Sequence, residues 1–402
     1  MKRIIITILI FLAACAAMAG TEQVANVLDF GARGDGRTDC TPAFRKALTF
    51  SRENRVPVFV PRGEYRLTDT LTLEKQSLKG GEPGAWNADS APMARLLIDH
   101  EQGPGLHMKG GSSLYGIAVM YDEKKDDTHF PPAVLLDGVG INIQNIRLQY
   151  CWDGIACHPK NGAGRVNIEN AFVVSAGGCA VCITGTLDIA TLRNIEVWNN
   201  KHRPNVTAFR FGYNDGISCL RLFSMSNHTG FQTIDPPDEW RTQTKGTWGT
   251  FTDCATDATS ISWDLQGSAF HQLGITGGLY WGHHKFLQCS NPNANAVVSG
   301  CQIKDNGSPC VDMQDAGCIT ITGCSFGRAM NTQYPFINAK KGKSLNLSGC
   351  TFDEHSPVLT IGPEIGRLSF TGNVILPTEF PFIKDDRRSE DALITIADNT
   401  GV

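Results

Sequence analysis

One short pattern recurs along most of the 402-residue chain and constrains its fold more than any other feature. It reads apolar, any, Gly or Asn, apolar or Cys, any, apolar. Copies centre on Gly116, Asn145, Asn170, Asn194, Cys219, Asp253, Gly277, Gly300, Gly323, Gly349 and Gly372. The steps between centres are 29, 25, 24, 25, 34, 24, 23, 23, 26 and 23 residues. A sustained period of this size means stacked structural units rather than one closed core.

Around each centre apolar and polar residues alternate at period two, which is the pattern of short strands. Ten of the eleven centres are Gly, Asn or Asp, residues that tolerate positive φ; the exception is Cys219. Each centre is therefore expected to be a sharp bend between two strands. Asn145, Asn170 and Asn194 fall on successive coils and should stack as an amide ladder. A leucine-rich repeat needs a Leu-dense consensus that is absent, and helical repeats need a 3.6-residue period. The expectation is an all-β chain, a single-stranded right-handed parallel β-helix solenoid. Length alone suggests two or three domains, but centres spread from 116 to 372 leave room for one, over residues 20–402.

The chain opens with Lys2 and Arg3, then an apolar run from Ile4 to Leu12, then small residues. That is the layout of an export signal over residues 1–19, too short for a permanent membrane span of about 30 Å. Two cleavage readings compete. The residues before Cys15 resemble a bacterial lipobox, which would make Cys15 a lipidated N-terminus. Ala17 and Ala19 form an A-x-A site, which would leave Gly20 first. Either way, loss of Lys2 and Arg3 takes the net charge from −4 to −6. The chain is thus expected to be bacterial and exported: periplasmic, an outer-membrane lipoprotein or secreted. Its contact with a membrane would be only through that lipid. The mild acidity argues against nucleic acid as a partner.

Asn26, Asp29, Phe30, Gly31, Ala32, Gly34, Asp35, Gly36, Asp39 and Thr41 lie in a segment that resembles the N-terminal signature of the pectate-lyase-like superfamily. Val58, Val60, Pro61, Gly63 and Tyr65 resemble its companion motif. The family includes polygalacturonase-type hydrolases, polysaccharide lyases and phage tailspikes. The resemblance implies a short N-terminal helix capping the barrel. Residues 42–53 fit, with Thr41 as cap, Pro42 first, and Phe44, Ala47, Leu48 and Phe50 on one face. It also implies an active site on the strand that follows the loop five to nine residues past each bend. The polygalacturonase N-T-D motif is absent. The D-D pairs fall at Asp126-Asp127 and Asp385-Asp386, away from the family's positions, so only the scaffold carries over.

Counted from the bends, Cys254, Cys301, Cys324 and Cys350 sit at plus one, and Cys157, Cys182 and Cys289 at plus twelve. With coils stacked about 4.8 Å apart these are expected to be inward columns of packed thiols. A disulfide remains open for an exported chain, with Cys157 and Cys182 the best pair by column. If that column points inward, its neighbours His158, Asp264, Gln266, Gln288 and, allowing a one-residue shift, Asp312 point outward.

Asp264 and Asp312 then lie two coils apart, about 9.6 Å, near the upper end of the spacing of an inverting acid/base pair. Asp153, Asp238 and Glu239 are further candidate catalytic carboxylates. The longest step, 34 residues, marks an insertion carrying Asp238, Glu239, Trp240, Arg241 and Trp248; acids beside Trp and Arg suit a sugar. Loop residues Trp152, His158, His202, His228, Trp281, His283, His284 and Lys285 complete the candidate substrate-binding set. No third ligand accompanies His283 and His284, so no metal or other cofactor is expected.

The first functional reading is a glycoside hydrolase acting on a polysaccharide or oligosaccharide through paired carboxylates. The second is a polysaccharide lyase with Lys285, His284 or Arg241 as base, for which Ca²⁺ would be the cofactor. The third is a non-catalytic glycan-binding or structural β-helix. Nothing in the sequence chooses an oligomeric state.

Overall fold

A computed structural model describes residues 23–81, 94–123, 129–199, 205–237, 245–304, 309–327, 335–353, 358–376, 383–387 and 393–401. Each coil contributes strands to three sheets, and the pairings between successive coils are parallel. The first sheet includes Val134–Val139, Ile155–Cys157, Cys179–Ile183, Thr207–Phe211, Thr229–Thr233 and Val311–Met313. The second includes Lys245–Thr252, Phe270–Thr276, Asn295–Ser299 and Ala316–Thr322. The third includes Ile117–Met120, Gln302–Lys304, Ser325–Phe326 and Thr351–Phe352. Longer strands such as Asn142–Gln149 bend from the second sheet into the third, and Ala255–Leu265 runs from the third into the first. This is a right-handed parallel β-helix.

The bends are where the repeat puts them. Asn145, Asn170, Asn194 and Asp253 have φ of 53°, 53°, 52° and 51°, in the left-handed region that Asn and Asp tolerate. The amides stack: Asn170 Nδ2 donates to Asn145 Oδ1 at 3.0 Å, and Asn194 Nδ2 donates to Asn170 Oδ1 at 3.1 Å. Cys219 is a correction. It is buried opposite Leu192, and the bend of its coil is Arg221, with φ 54°. The flanking steps become 27 and 32 rather than 25 and 34, counted from Asn194 to Arg221 to Asp253.

Inside, like residues stack on like. Phe209, Phe231 and Trp263 form an aromatic column, with ring centroids 5.1 and 4.4 Å apart. Cys254, Cys301, Cys324 and Cys350 are buried free thiols, as the plus-one column requires. Cys182 is another correction. It pairs with Ala156, not with Cys157, and so leaves the inward column. Both Cys157 and Cys182 are free thiols. The N-terminal helix spans Thr41–Asn54 and buries Phe44, Ala47 and Leu48, with Phe44 edge-on to Tyr65. Its start differs from the expectation: Asp39 Oδ1 accepts from the Thr41 N–H, while Thr41 Oγ1 accepts from the Thr68 N–H. The side chain two residues earlier satisfies the orphan donor instead.

Candidate functional site

The outward side chains of the first sheet form a continuous polar column. Cys182, Arg210, Gln232, Asp264, Gln288, Asp312 and Asn338 occupy successive rungs in register. Each is flanked in sequence by two inward residues, as in Phe209-Arg210-Phe211, Trp263-Asp264-Leu265 and Val311-Asp312-Met313, whose burial fixes the polar residue outward. Side chains three residues earlier reach the same column, as Lys285 reaches Gln288.

Hydrogen bonds tie the rungs together. Arg210 Nε donates to Gln232 Oε1 at 2.7 Å. Asp264 accepts from Gln266 at 2.5 Å and, more weakly, from Gln232 and Gln288, both at 3.4 Å. Lys285 Nζ bridges Gln288 Oε1 and Asp312 Oδ2, each at 2.7 Å. Asp312 also accepts from Gln314 at 3.1 Å and Asn338 at 3.2 Å.

Asp264 and Asp312 are both 3% exposed, yet their environments differ. Burial pushes the Asp264 carboxyl above the usual carboxylate range, against the pull of the surrounding amides and of His228. Asp312 faces the Lys285 ammonium. One rung apart from each other's neighbours, the two carboxyls are separated by Gln288 alone, hence by two coil spacings of about 4.8 Å.

Asp153 lies at the corner leading into the first sheet. Its Oδ1 accepts from the Cys179 N–H at 2.7 Å, and burial raises its pKa against the Cys179 N–H, Arg210 and His129. Trp152 beside it meets His129 edge-on at 5.5 Å. The Cys182 thiol is pulled down by the Cys179 thiol and by Arg210. His228 is half-buried, with Nδ1 3.1 Å from Thr229 Oγ1. His284 is exposed next to Lys285.

Other candidates fall elsewhere. His158 sits in the turn after the first sheet, its ring stacked 6.4 Å from His107. Trp248 projects from the second sheet and Trp281 from the third, where Lys304 lies over its ring at 4.3 Å. His202, Asp238, Glu239, Trp240 and Arg241 lie outside the described residues, as does the His283 side chain. Among the described residues no group of three or more His, Cys, Asp or Glu converges on a metal-sized site. A groove of about 580 Å³ runs over the asparagine ladder, lined by Arg147, Phe172, Glu196 and Phe223, away from the Asp264 face.

Sequence reasoning missed Arg210, Gln232, Gln314 and Asn338. For Arg210, Gln232 and Asn338 the signal was present as a lone polar residue between two inward ones, repeated coil after coil; Gln314 carries no such signal.

Residues 24–88 match the family model described as rhamnogalacturonase A/epimerase, pectate lyase-like. That match covers the N-terminal segment alone, and the remainder of the described chain is placed by its parallel β-helix fold. The chain resembles the A-module of the mannuronan C-5 epimerase AlgE6 of Azotobacter vinelandii. That likeness has TM-score 0.55 and 11% identity, covering 94% of this chain and 99% of that one. It also resembles pre-mature gene product 12 of bacteriophage phi29, with TM-score 0.60 and 15% identity, over 92% of this chain and 56% of that one. A shorter stretch of 77 residues is 36% identical to the non-secreted LysM effector LysM19 of Penicillium expansum. It covers 19% of this chain and 6% of that protein's length. These structural likenesses are likenesses of fold.

Proposed function

We propose that the chain is an exported carbohydrate-active enzyme, a glycoside hydrolase that cleaves a polysaccharide on the first-sheet face. The observation that carries the reading is one outward column holding two buried carboxyls, Asp264 and Asp312, two coils apart. Their separation of about 9.6 Å leaves room for a water beside the sugar, close to the range of about 6.5–9.5 Å of inverting enzymes and well beyond that of retaining ones.

Asp264, whose carboxyl burial favours the protonated form, gives its proton to the leaving glycosidic oxygen as the C–O bond breaks. Asp312 takes a proton from the attacking water, whose oxygen bonds to the anomeric carbon. The Gln232, Gln266 and Gln288 amides hold Asp264 in place, and Lys285 orients Asp312. Arg210 and Trp152 extend the face for further sugar units. The start of the chain, Lys2 and Arg3 before an apolar run, supports export.

A second reading, a polysaccharide lyase, draws on the cationic groups. Arg210 and Lys285 on one face would suit a uronate carboxylate. The likeness to a mannuronan epimerase is in keeping with such a substrate.

The test is digestion of a panel of plant, algal and host glycans by the full chain and by Asp264→Asn and Asp312→Asn variants, reading new reducing ends. Both variants should lose turnover at least a hundredfold. Unchanged turnover in either would refute the assignment. A product with the ultraviolet absorbance of an unsaturated uronate would select the lyase.

A further inference from the structure

We infer that a second, non-catalytic glycan subsite sits on the second sheet, built around Trp248. This strand stacks between Asn214–Met225 and Phe270–Thr276, and Asp215, Trp248 and Gln272 occupy successive outward rungs. Trp248 is 62% exposed and Phe270 is 48% exposed. The two rings line one pocket of about 210 Å³ together with Tyr213, Asp215, Lys245 and Gln272.

Two register shifts converge here. The ladder slips between Asp215 and Ile217 on one side of the Trp248 strand, and between Lys245 and Trp248 on the other. Gly216 takes up the first with φ 89°. Bulges re-aim side chains, and two at one level turn this corner of the sheet into a recess rather than a flat pleat. The recess alternates aromatic rungs with a carboxylate, an amide and an ammonium.

That alternation argues for the class of ligand. A protein partner needs a dry apolar centre with polar groups at its rim, whereas here Asp215 and Gln272 flank Trp248 directly. A pyranose ring has the matching character: a C–H face that stacks on indole and equatorial hydroxyls that bond to neighbours in the plane. Lys245 and Asp215 balance in charge, which favours a neutral sugar over a uronate. The recess opens on a different sheet from Asp264, so a polymer held here would stay tethered while another segment reaches the first sheet. It would add local concentration rather than chemistry.

Calorimetric titration of the full chain carrying Asp264→Asn and Asp312→Asn, with laminarihexaose, cellohexaose and xylohexaose as probes, tests this without consuming the probe. One probe should bind, and adding Trp248→Ala should remove one binding site or weaken the single site at least tenfold. Trp248→Phe should retain most of the binding. Trp248 is exposed, so its replacement leaves the core intact, and unchanged far-ultraviolet circular dichroism checks that. Equal affinity and stoichiometry before and after Trp248→Ala would overturn the inference, as would the binding of no probe. If no glycan is cleaved by the unsubstituted chain yet Trp248-dependent binding persists, the hydrolase reading fails and this one stands.

Discussion

His271 should make the protein lose stability as the pH falls from about 6.5 to about 4. The cause begins with the register shift between Lys245 and Trp248, which opposes two residues on one strand to one on the next. The Thr247 N–H is left without a ladder acceptor, and His271 Nδ1 supplies one at 2.8 Å. The ring is fully buried, packed so closely on Gly246 that an added methyl there would meet it at 2.4 Å. An acceptor at Nδ1 means a neutral ring with its proton on Nε2. Burial lowers the ring's pKa from 6.5 to about 4, outweighing the opposite pull of Asp235.

Between those two values the unfolded chain binds a proton that the folded chain refuses, so stability rises with pH across the window. The contribution is fully present above 6.5 and is lost as the pH falls through 4. A difference of about 2.5 pKa units corresponds to about 3 kcal/mol. Urea unfolding of the full chain and of a His271→Gln variant, at pH 7, 5.5 and 4, isolates the ring from the carboxylates that titrate alongside it. Gln retains an acceptor for the Thr247 N–H but does not titrate. The wild type should lose about 3 kcal/mol more than the variant between pH 7 and pH 4. Parallel curves for the two proteins would refute the assignment of a neutral buried ring.

The ladder separates backbone from side-chain effects. Asn170→Ala loses two amide bonds and forces Ala into a left-handed bend, costing about 3 kcal/mol, whereas Asn170→Gly loses only the bonds, about 1–2 kcal/mol, in chemical denaturation; equal losses would contradict this. Phe231→Ala, which breaks the stack between Phe209 and Trp263, should cost about 3–5 kcal/mol in the same assay. Asp264 binds its proton more tightly folded than unfolded, so its ionisation subtracts stability as the pH rises through and above the ordinary carboxylate range. Asp264→Asn should therefore melt no lower than the wild type at pH 7, and a markedly lower melting temperature would show that the carboxylate is stabilising. Under native conditions a thiol reagent should modify Cys318 quickly and Cys182 more slowly, leaving the buried column unreacted; rapid labelling of Cys301 or Cys350 would contradict the packing.

The bend between the second and third sheets was legible because its backbone demands a left-handed residue, which restricts sequence. Where the demand was met by Arg221, a residue outside the tolerant set, the pattern also fitted Cys219 two positions earlier, and only the observed register decides between them. The corner between the third and first sheets also turns through left-handed residues, Tyr150, Ser175, Ser226 and Ala258, with φ of 56°, 55°, 58° and 48°, but none is Gly, Asn or Asp, so no pattern marks it, and its length varies. From Asn145 to Cys157 is twelve residues, but from Asn170 to the residue beside Cys157 on the next coil, Ile183, is thirteen. One extra residue turns every following side chain to the other face, which is why Cys182 left the inward column and joined Arg210. Counting across the corner therefore failed for the coils at Cys182 and Arg210. It succeeded for Asp264, since Asp253 to Leu265 is twelve residues like Gly277 to Cys289, whereas Gly300 to Met313 is thirteen, so Asp312 reaches the outward face only through a one-residue shift. The candidate site begins immediately past this variable corner. The freedom in length that lets its loops carry side chains such as Trp152 and Asp153 to the face is the same freedom that hides those coils' register from the sequence.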